Sequence, residues 1–399
     1  MNNNSRNSNE VMAMERTRIF GRALCGLGAA CALIIGLANA EVLGSETAAK
    51  QAFLIDNETG AVLLEKASDE LMPPASMSKM MTVYMVFERL REGSLKLDDT
   101  MRVSEKAWRM GGSKTFVDVD SRVSVEDLLR GVIVQSGNDA SIVLAEGLAG
   151  SEEAFAVEMT RRAREIGMND SVFKNATGWP NSEHLVTARD MATLAQRVIR
   201  DYPEYYGYFG ETTFTYNKIK QGNRNPLLYG DVGADGLKTG YTEDSGYGIA
   251  GSAVRNGRRL IVVINGLDSA KARSREAEHL INFGFQEFKN YALFADGETV
   301  DEAPVWLGQA DTVPVVLEAP LTVTLQRKAR RGMRVAVKME RQIPAPVKKG
   351  DRVATLVVTA PDAETIEKPL FAAQDVDRRA LIGRVIAAIR HLVFGLVTN

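Results

Sequence analysis

The hydrophobic periodicity of this 399-residue chain changes along its length, and these changes constrain the fold most. Near the beginning, "QAFLIDNETGAVLLEK" predicts two short strands joined by a turn from Asp56 to Gly60. Much later, "SGYGIAGSAVRNGRRLIVVINGL" alternates between apolar and polar residues around Asn256-Gly257, a strong hairpin signal. Because helical segments lie between these strand pairs, residues 41–292 predict an α/β or α+β sandwich.

The segments between the two strand pairs have helical spacing. Met77–Arg91 is rich in methionine and leucine and predicts a buried helix. "SVEDLLRGVIVQ" begins with Ser124 and Asp127 in positions typical of a capping box. "SEEAFAVEMTRRAREIGM" and "TARDMATLAQRVIRDYP" predict two amphipathic helices, and "SREAEHLINFGFQEFKNY" predicts another after the hairpin.

Residues 293–374 have a different pattern. "PVVLEAPLTVTLQ", "RVAVKME" and "RVATLVVTA" are short β-rich runs separated by proline, glycine and charged turns, and no helical period is present. The sequence therefore predicts a small all-β domain here.

The N-terminal 40 residues have the pattern of a signal peptide. Arginines precede the apolar run "ALCGLGAACALIIGLANA", which ends in Ala38-Asn39-Ala40. The alternatives are an uncleaved membrane anchor and a lipidated Cys31 in "LGAAC". Both cysteines, Cys25 and Cys31, lie in this segment, so we expect an exported, cysteine-free chain that is stabilised by its core rather than by disulfides.

The C-terminal residues 375–399 predict an amphipathic helix. In "DVDRRALIGRVIAAIRHLVFGLVTN" the apolar residues fall on one side of a helical wheel and the arginines on the other. Charged residues interrupt any long apolar span, so we expect this helix to lie on an anionic membrane surface. The alternative is a terminal helix that packs on the protein's own core.

The composition excludes several classes of function. The net charge of −2 provides no field for nucleic acid. With three histidines and no His-Glu-x-x-His pattern, a zinc hydrolase is poorly supported, and no metal or cofactor is implied. No histidine lies near a Gly-x-Ser-x-Gly motif. A lysine is therefore the more economical base for a serine nucleophile.

Ser76 and Lys79, in "PASMSKMMT", suit these roles. If a helix begins just after Pro73-Pro74, Ser76 lies near its N-terminus and Lys79 lies one turn later on the same face. The neighbouring methionines would desolvate the lysine and lower its pKa, as a general base requires. Ser171 and Lys174 have the same spacing but lie between turns, and the pattern is weak when it stands alone.

Two further motifs follow. In "QSGND", a glycine separates Ser136 from Asn138 and could direct both side chains into a cleft, although a helix cap followed by a turn explains the motif equally. In "GLKTGYT", Lys238 and Thr239 offer a cation and a hydroxyl to a carboxylate, and Gly240 permits a close backbone approach. Alone, this motif is also compatible with a simple turn.

Together, Ser-x-x-Lys, Ser-x-Asn and Lys-Thr-Gly, in this order, are the three motifs of the penicillin-recognising serine enzymes. From about residue 42 onward the chain resembles the D-alanyl-D-alanine carboxypeptidases, the low-molecular-mass penicillin-binding proteins of peptidase family S11. "GVIVQSGNDASIVLAEGLAGSEEAF", "GADGLKTGYTEDSGYGIAGSA" and "SREAEHLINFGF" resemble segments of that family, as do the β-rich region and the terminal amphipathic helix.

The resemblance implies a penicillin-binding, transpeptidase-like fold in which an antiparallel sheet is flanked by helices, followed by the small all-β domain and the anchor. It implies that Ser76 is the nucleophile and Lys79 its base. The remaining roles implied by the resemblance are as follows: proton transfer and substrate binding by Ser136 and Asn138, carboxylate binding by Lys238, Thr239 and Arg275, an added hydroxyl from Thr242, and an oxyanion hole from the backbone N–H groups of Ser76 and Tyr241.

Tyr241 departs from well-known members, which carry histidine after Lys-Thr-Gly, and this departure affects substrate preference and deacylation. His184, in "EHLVTARDMA", is interpreted as structural.

The resemblance implies a peptidoglycan stem peptide ending in D-Ala-D-Ala as substrate and β-lactams as covalent inhibitors. It also implies a periplasmic location on the outer face of the inner membrane. Three alternatives stay open: a DD-endopeptidase with the same residues, a class A β-lactamase, and a non-catalytic wall scaffold. The β-lactamase is disfavoured because the chain has no Glu-x-x-Leu-Asn stretch between the second and third motifs.

Overall fold

The structure is a computed structural model, and it describes residues 46–339 and 343–380. The chain divides into two compact units between Lys289 and Asn290. The predicted signal peptide and the part of the predicted terminal helix beyond residue 380 lie outside the described residues. Among the residues that are described, no helix has the length and apolar character needed to cross a membrane.

The first unit contains both helices and strands. Its strands are β1 (Gln51–Asp56), β2 (Val62–Lys66), β3 (Thr100–Arg102), β4 (Arg122–Ser124), β5 (Thr213–Tyr216), β6 (Ile219–Gly222), β7 (Ala234–Thr242), β8 (Gly246–Arg255) and β9 (Arg258–Leu267). Its helices are α1 (Lys79–Arg91), α2 (Glu105–Arg109), α3 (Val125–Ile133), α4 (Asn138–Ala149), α5 (Glu152–Glu165), α6 (Ala188–Asp201), α7 (Pro203–Tyr206) and α8 (Ala270–Glu287).

The central sheet of this unit has five antiparallel strands in the order β2-β1-β9-β8-β7. The two strand pairs that bracket the sequence therefore meet in one sheet, as predicted. Asn256 and Gly257 both have positive φ, at 51° and 79°, and connect β8 to β9 in the predicted hairpin. Both faces of the sheet are covered: Ile261 packs with the cluster around α1, and Val262 packs with α8.

The predicted helices are present, but the start of the first helix and the end of the helix after the hairpin differ from the prediction. Ser124 caps α3 by accepting a hydrogen bond from Asp127 N at 3.1 Å, as the capping pattern predicted. The helix predicted from Met77 begins as a 3-10 helix, Ala75–Ser78, and continues as α1. The prediction of helix to Tyr291 was wrong: α8 ends at Glu287, and the chain continues as the strand Phe288–Phe294.

The second unit is all-β, as predicted. Its strands are β10 (Phe288–Phe294, which begins at the boundary), β11 (Thr299–Trp306), β12 (Thr312–Val316), β13 (Leu321–Gln326), β14 (Arg334–Lys338), β15 (Ile343–Pro344), β16 (Arg352–Thr359) and β17 (Ile366–Ala372). Six of them form a sheet in the order β14-β16-β17-β12-β11-β15, and β10 pairs with β13.

The predicted start of the terminal helix at residue 375 was wrong. Val376 bridges Val347 and is buried in the core of the β unit, and Arg379 N donates to Leu307 O at 2.9 Å. Residues 375–380 are therefore part of the β unit, because an apolar side chain within them completes its core.

Candidate active site

Ser76 lies in the 3-10 helix that leads into α1, as the proline-preceded motif predicted. Lys79 is the first residue of α1 and is fully buried, and its Nζ lies 3.0 Å from Ser76 Oγ. Ala75 has a positive φ of 48°, an uncommon conformation for a residue with a side chain. Such strain persists only where the surroundings hold it, and here it lies beside the serine.

Three acceptors surround the Lys79 amine. Besides Ser76 Oγ, its Nζ donates to Asn138 Oδ1 at 2.7 Å and to the carbonyl oxygen of Thr177 at 2.5 Å. A neutral amine has two N–H bonds and one lone pair. If the two N–H bonds serve Asn138 and Thr177, the lone pair faces the Ser76 hydroxyl and can accept its proton.

The environment of Lys79 favours this neutral form. Burial lowers the pKa of Lys79, and the nearby Arg224 cation lowers it further, whereas Asp139 and Glu152 act in the opposite direction. The result is a pKa of about 7 instead of the usual 10.5. A base with a pKa near the working pH is half deprotonated and still basic enough to take a proton.

The second motif reaches the same cleft from the N-terminus of α4. Ser136 has a positive φ of 65°, and its buried Oγ has no hydrogen-bond partner in the described part of the chain. Asn138 holds its side chain in place by donating from Nδ2 to Gly111 O at 2.8 Å. A Cβ at Gly137 would lie 2.1 Å from Thr115 Oγ1, so a side chain between the two functional residues would displace Thr115.

Asp139 was not singled out from the sequence, yet it supports this motif. Its fully buried carboxylate accepts hydrogen bonds from the backbone N–H groups of Thr115 at 2.8 Å and Phe116 at 2.9 Å. Buried carboxylates are stable where several donors satisfy them. Asp139 thereby ties the loop around residue 115 to the start of α4.

The third motif lies on β7, an edge strand of the central sheet. Lys238 is 2% exposed, and burial together with the charges of Lys79, Arg224 and Arg273 lowers its pKa well below the usual value. A Cβ at Gly240 would lie 2.8 Å from the carbonyl oxygen of Pro74. The glycine therefore lets β7 approach the segment that carries the nucleophile, as predicted.

The two residues after this motif behave differently. Tyr241 is half exposed and stacks on Tyr247 with ring centroids 4.1 Å apart. Thr242 Oγ1 donates to Ser245 Oγ at 2.9 Å and accepts from Ser245 N at 3.1 Å. The hydroxyl predicted to bind a carboxylate is thus already engaged in the turn between β7 and β8, although Thr242 lines the cleft.

The assignment of Arg275 to the site is corrected by the structure. Arg275 is exposed on α8 and does not line the cleft, whereas Arg273 is buried and does. The helix places residues two apart on roughly opposite faces, so only one of the two can face the site. Arg224, which was also not singled out from the sequence, lines the cleft and donates to Ser113 Oγ at 2.7 Å.

These residues surround a cleft of about 1020 Å³. The predicted residues that line it are Ser76, Ser136, Asn138, Thr239, Gly240, Tyr241 and Thr242. Buried Lys79 and Lys238 adjoin these lining residues, and the guanidinium groups of Arg224 and Arg273 bring positive charge to the wall. The cleft can therefore bind an anionic group beside a serine and its base.

The second Ser-x-x-Lys pair, Ser171 and Lys174, has a structural role. Ser171 Oγ donates to Asp190 Oδ2 at 2.7 Å, and Lys174 pairs with Glu183 at 3.2 Å. His184 is buried, and its Nε2 lies 2.9 Å from Ser78 Oγ rather than from Ser76. Burial, with a further effect of the Lys79 cation, lowers the pKa of His184 to about 4, so the ring is neutral near pH 7.

Comparison with known proteins identifies the family. Residues 38–269 match the family described as D-alanyl-D-alanine carboxypeptidase. The chain belongs to this family. Residues 288–378 match a second family, described as penicillin-binding protein 5, C-terminal domain. As a D-alanyl-D-alanine carboxypeptidase, the protein is a serine-type peptide hydrolase and a penicillin-binding protein.

Individual relatives agree with this identification. The chain is 36% identical over 340 residues to the D-alanyl-D-alanine carboxypeptidase DacC of Escherichia coli, covering 83% of this chain and 85% of that protein. The structure of penicillin-binding protein 5 from Haemophilus influenzae superposes with a TM-score of 0.77 at 32% identity, covering 84% of this chain and all of that one. The predicted fold, a transpeptidase-like domain followed by an all-β domain, is confirmed.

A third relative was solved with a drug bound. Penicillin-binding protein D2 from Listeria monocytogenes, in its ampicillin-bound form, has a TM-score of 0.56 at 30% identity and covers 61% of this chain and 99% of that one.

Proposed function

We propose that this D-alanyl-D-alanine carboxypeptidase removes the terminal D-alanine of peptidoglycan stem pentapeptides through an acyl-enzyme on Ser76. The observation that carries the proposal is the contact between Ser76 Oγ and a fully buried lysine amine with a pKa of about 7. A serine hydroxyl becomes a useful nucleophile only when an adjacent base can take its proton. Lys79 is that base.

The cations of the cleft select the substrate's end. Lys238 and Arg273 are buried: Lys238 Nζ donates to the carbonyl oxygen of Thr239, Arg273 Nε has no hydrogen-bond partner in the described part of the chain, and Arg224 lines the same cleft. Burial disfavours the charged form of Lys238, and a carboxylate that enters the cleft favours that form again and offsets the cost of burying both cations. The C-terminal carboxylate of D-Ala-D-Ala meets Lys238, Thr239 and Arg273, and this contact places the scissile bond at Ser76.

Charge that develops on the scissile carbonyl needs donors. The backbone N–H groups of Ser76 and Tyr241 form this oxyanion hole, and the close approach of β7 at Gly240 supports the pairing because it brings Tyr241 toward the serine segment. Attack by Ser76 breaks the peptide bond and releases D-alanine, which receives its proton from the site. Water then hydrolyses the ester, and the shortened peptide leaves.

Ser136 completes the proton path. Its buried Oγ is unpartnered and lines the cleft, so it can relay a proton from Lys79 to the leaving amine. We expect β-lactams to acylate the same serine, because their carboxylate and strained amide can occupy the positions of the peptide's carboxylate and scissile bond. The relative solved in its ampicillin-bound form supports β-lactam binding by this fold.

Mass spectrometry of the intact protein tests the nucleophile. After brief exposure to benzylpenicillin, the protein should gain the mass of the drug, and Ser76→Ala should abolish the gain. Ser171→Ala is the matched control, since it removes the other serine with the same lysine spacing, and it should acylate like the unsubstituted protein.

An adduct that persists in Ser76→Ala would contradict the assignment. An unsubstituted protein with neither adduct nor penicillin turnover, and with no release of D-alanine from a pentapeptide, would favour a non-catalytic scaffold.

For location, we propose export by the N-terminal segment and attachment to the outer face of the inner membrane by the C-terminal amphipathic segment. The support is in the sequence: an apolar run that ends in Ala-Asn-Ala, and a final segment with separate apolar and basic faces. Because residues 375–380 belong to the β unit, the truncation that tests attachment removes residues 381–399 only. The truncated protein should move from the membrane fraction to the soluble periplasmic fraction, and continued membrane binding would contradict the anchor.

A further inference from the structure

We propose that Tyr247, with Tyr241 stacked on it, positions Arg273 for the substrate's terminal carboxylate. The two rings and the guanidinium form what we call the aromatic column: Arg273, Tyr247 and Tyr241. The inference rests on the proposed role of Arg273 in carboxylate binding. It assigns the two tyrosines as positioning residues that set the preference for substrates with a free C-terminal carboxylate.

Arg273 is a buried cation without an ionic partner. Only 9% of the residue is exposed, its buried Nε has no hydrogen-bond partner, and no acidic side chain in the described part of the chain pairs with it. Burial lowers the pKa of Arg273. Because a buried guanidinium ordinarily depends on carboxylates for its orientation, something else must hold this one.

The aromatic column provides that support. The guanidinium carbon of Arg273 lies 5.8 Å from the centroid of the Tyr247 ring, within the range of a cation–π contact. Tyr247 and Tyr241 are stacked with centroids 4.1 Å apart and planes inclined by 28°. The two tyrosines are direct cross-strand partners on β8 and β7, so the register of the sheet fixes the stack.

The use of rings rather than a carboxylate has a chemical consequence. An acidic partner would occupy the N–H donors of Arg273 and cancel the charge that the substrate must meet. A ring face attracts the cation but leaves its in-plane N–H groups available. Arg273 and both tyrosines line the cleft, so a carboxylate bound there lies within reach of this guanidinium.

The test compares two peptides and a set of variants. The peptides are diacetyl-L-lysyl-D-alanyl-D-alanine and its C-terminal amide, and kcat/KM is measured for both. Tyr247→Phe keeps the ring and Tyr247→Leu removes it, with Arg273→Met as the reference for complete loss of the cation. Tyr216→Leu is the control, because it removes a ring stacked on Phe214 that does not line the cleft.

Tyr247→Leu should lower kcat/KM for the carboxylate peptide by roughly 5- to 30-fold, the range that a partly desolvated cation–π contact supplies. The same variant should leave the amide peptide unchanged within about 2-fold, a difference that falls inside ordinary surface effects. Tyr247→Phe and the Tyr216 control should behave like the unsubstituted enzyme on both peptides. In the Arg273→Met background, Tyr247→Leu should have no further effect.

Three results would overturn the proposal: an equal loss on both peptides, which indicates a merely structural ring; no loss on either; or a full additional loss in the Arg273→Met background. If the unsubstituted protein releases neither D-alanine from the carboxylate peptide nor D-alaninamide from the amide peptide, the proposed function fails instead. The aromatic column is then tested by the acylation rates with benzylpenicillin and its methyl ester. Tyr247→Leu should slow acylation by benzylpenicillin, which has a free carboxylate, and should leave acylation by the methyl ester unchanged.

Discussion

The pH dependence of acylation tests the role of Lys79 directly. Its pKa of about 7 means that about half of the amine is neutral at pH 7, about a tenth at pH 6 and about a hundredth at pH 5. Because only the neutral amine can accept the Ser76 proton, the acylation rate should fall about fivefold from pH 7 to pH 6 and about tenfold for the next pH unit. The lowering from 10.5 amounts to about 5 kcal/mol against the ammonium form, which the buried site supplies.

The fall in acylation rate below pH 7 is the acid limb of the pH profile, and Arg224→Met tests whether it reflects the protonation of Lys79. The Arg224 cation lowers the pKa of Lys79, so its removal should raise that pKa and move the limb to higher pH. At pH 6 the variant should retain a smaller fraction of its own plateau rate than the unsubstituted enzyme. Arg275→Met removes an exposed arginine that does not line the cleft and should leave the limb in place.

The assay is stopped-flow acylation by benzylpenicillin from pH 5 to 9 at constant ionic strength, with each rate divided by that variant's plateau. A profile that stays flat below pH 7 would refute the lysine base. A limb that moves to lower pH in Arg224→Met, or that moves equally in Arg275→Met, would refute the electrostatic argument.

Two further predictions concern the supports of the site. Gly178→Ala should lower the acylation rate by about 100-fold or more, because Gly178 has φ +77° and a Cβ there would lie 1.8 Å from Ala75 O and displace the segment that carries Ser76. The control is Gly93→Ala, at φ +75° with no atom near, which should cost about 1 kcal/mol in stability but acylate normally. Normal acylation by Gly178→Ala would contradict the prediction. Asp139→Asn should lower the free energy of unfolding by roughly 2 kcal/mol in urea titrations, because it weakens charged hydrogen bonds to the loop around residue 115. It should also move the acid limb to lower pH, since Asp139 raises the pKa of Lys79, and a limb that moves upward would count against this.

The sequence predicted the architecture well where a local pattern has one physical meaning. Asn256-Gly257 requires positive φ at both positions, so the hairpin could be located to the residue. Ser124 marked the start of α3 because a short polar side chain satisfies a free N–H there. The order of three motifs predicted that Ser76, Ser136 and the Lys238 region would meet.

Other parts of the site have no local sequence pattern that predicts them. The acceptor from Thr177 is a backbone carbonyl, which every residue has, so no residue type could reveal it. Arg275 was assigned from the resemblance of "SREAE" to a family segment, and a resemblance in sequence does not show which of two arginines, two positions apart on one helix, faces the site. The strand after Glu287 was read as helix, because its aromatic residues also suit a helical face.

The pairing of β1 with β9 has a consequence for how the enzyme matures. Gln51 pairs with Asn265, so strands from the two ends of the catalytic unit are neighbours in its sheet. Contacts between residues so distant in sequence require a long loop to close, and the entropy lost in closing it slows folding. Lys79 lies near the beginning of this unit. Lys238 lies on β7, at the edge of the sheet, and β7 is connected to β1 through β8 and β9. An incompletely folded chain therefore holds a serine and a lysine without the neighbours that make them reactive, and nucleophilic activity arises only when the whole unit has closed.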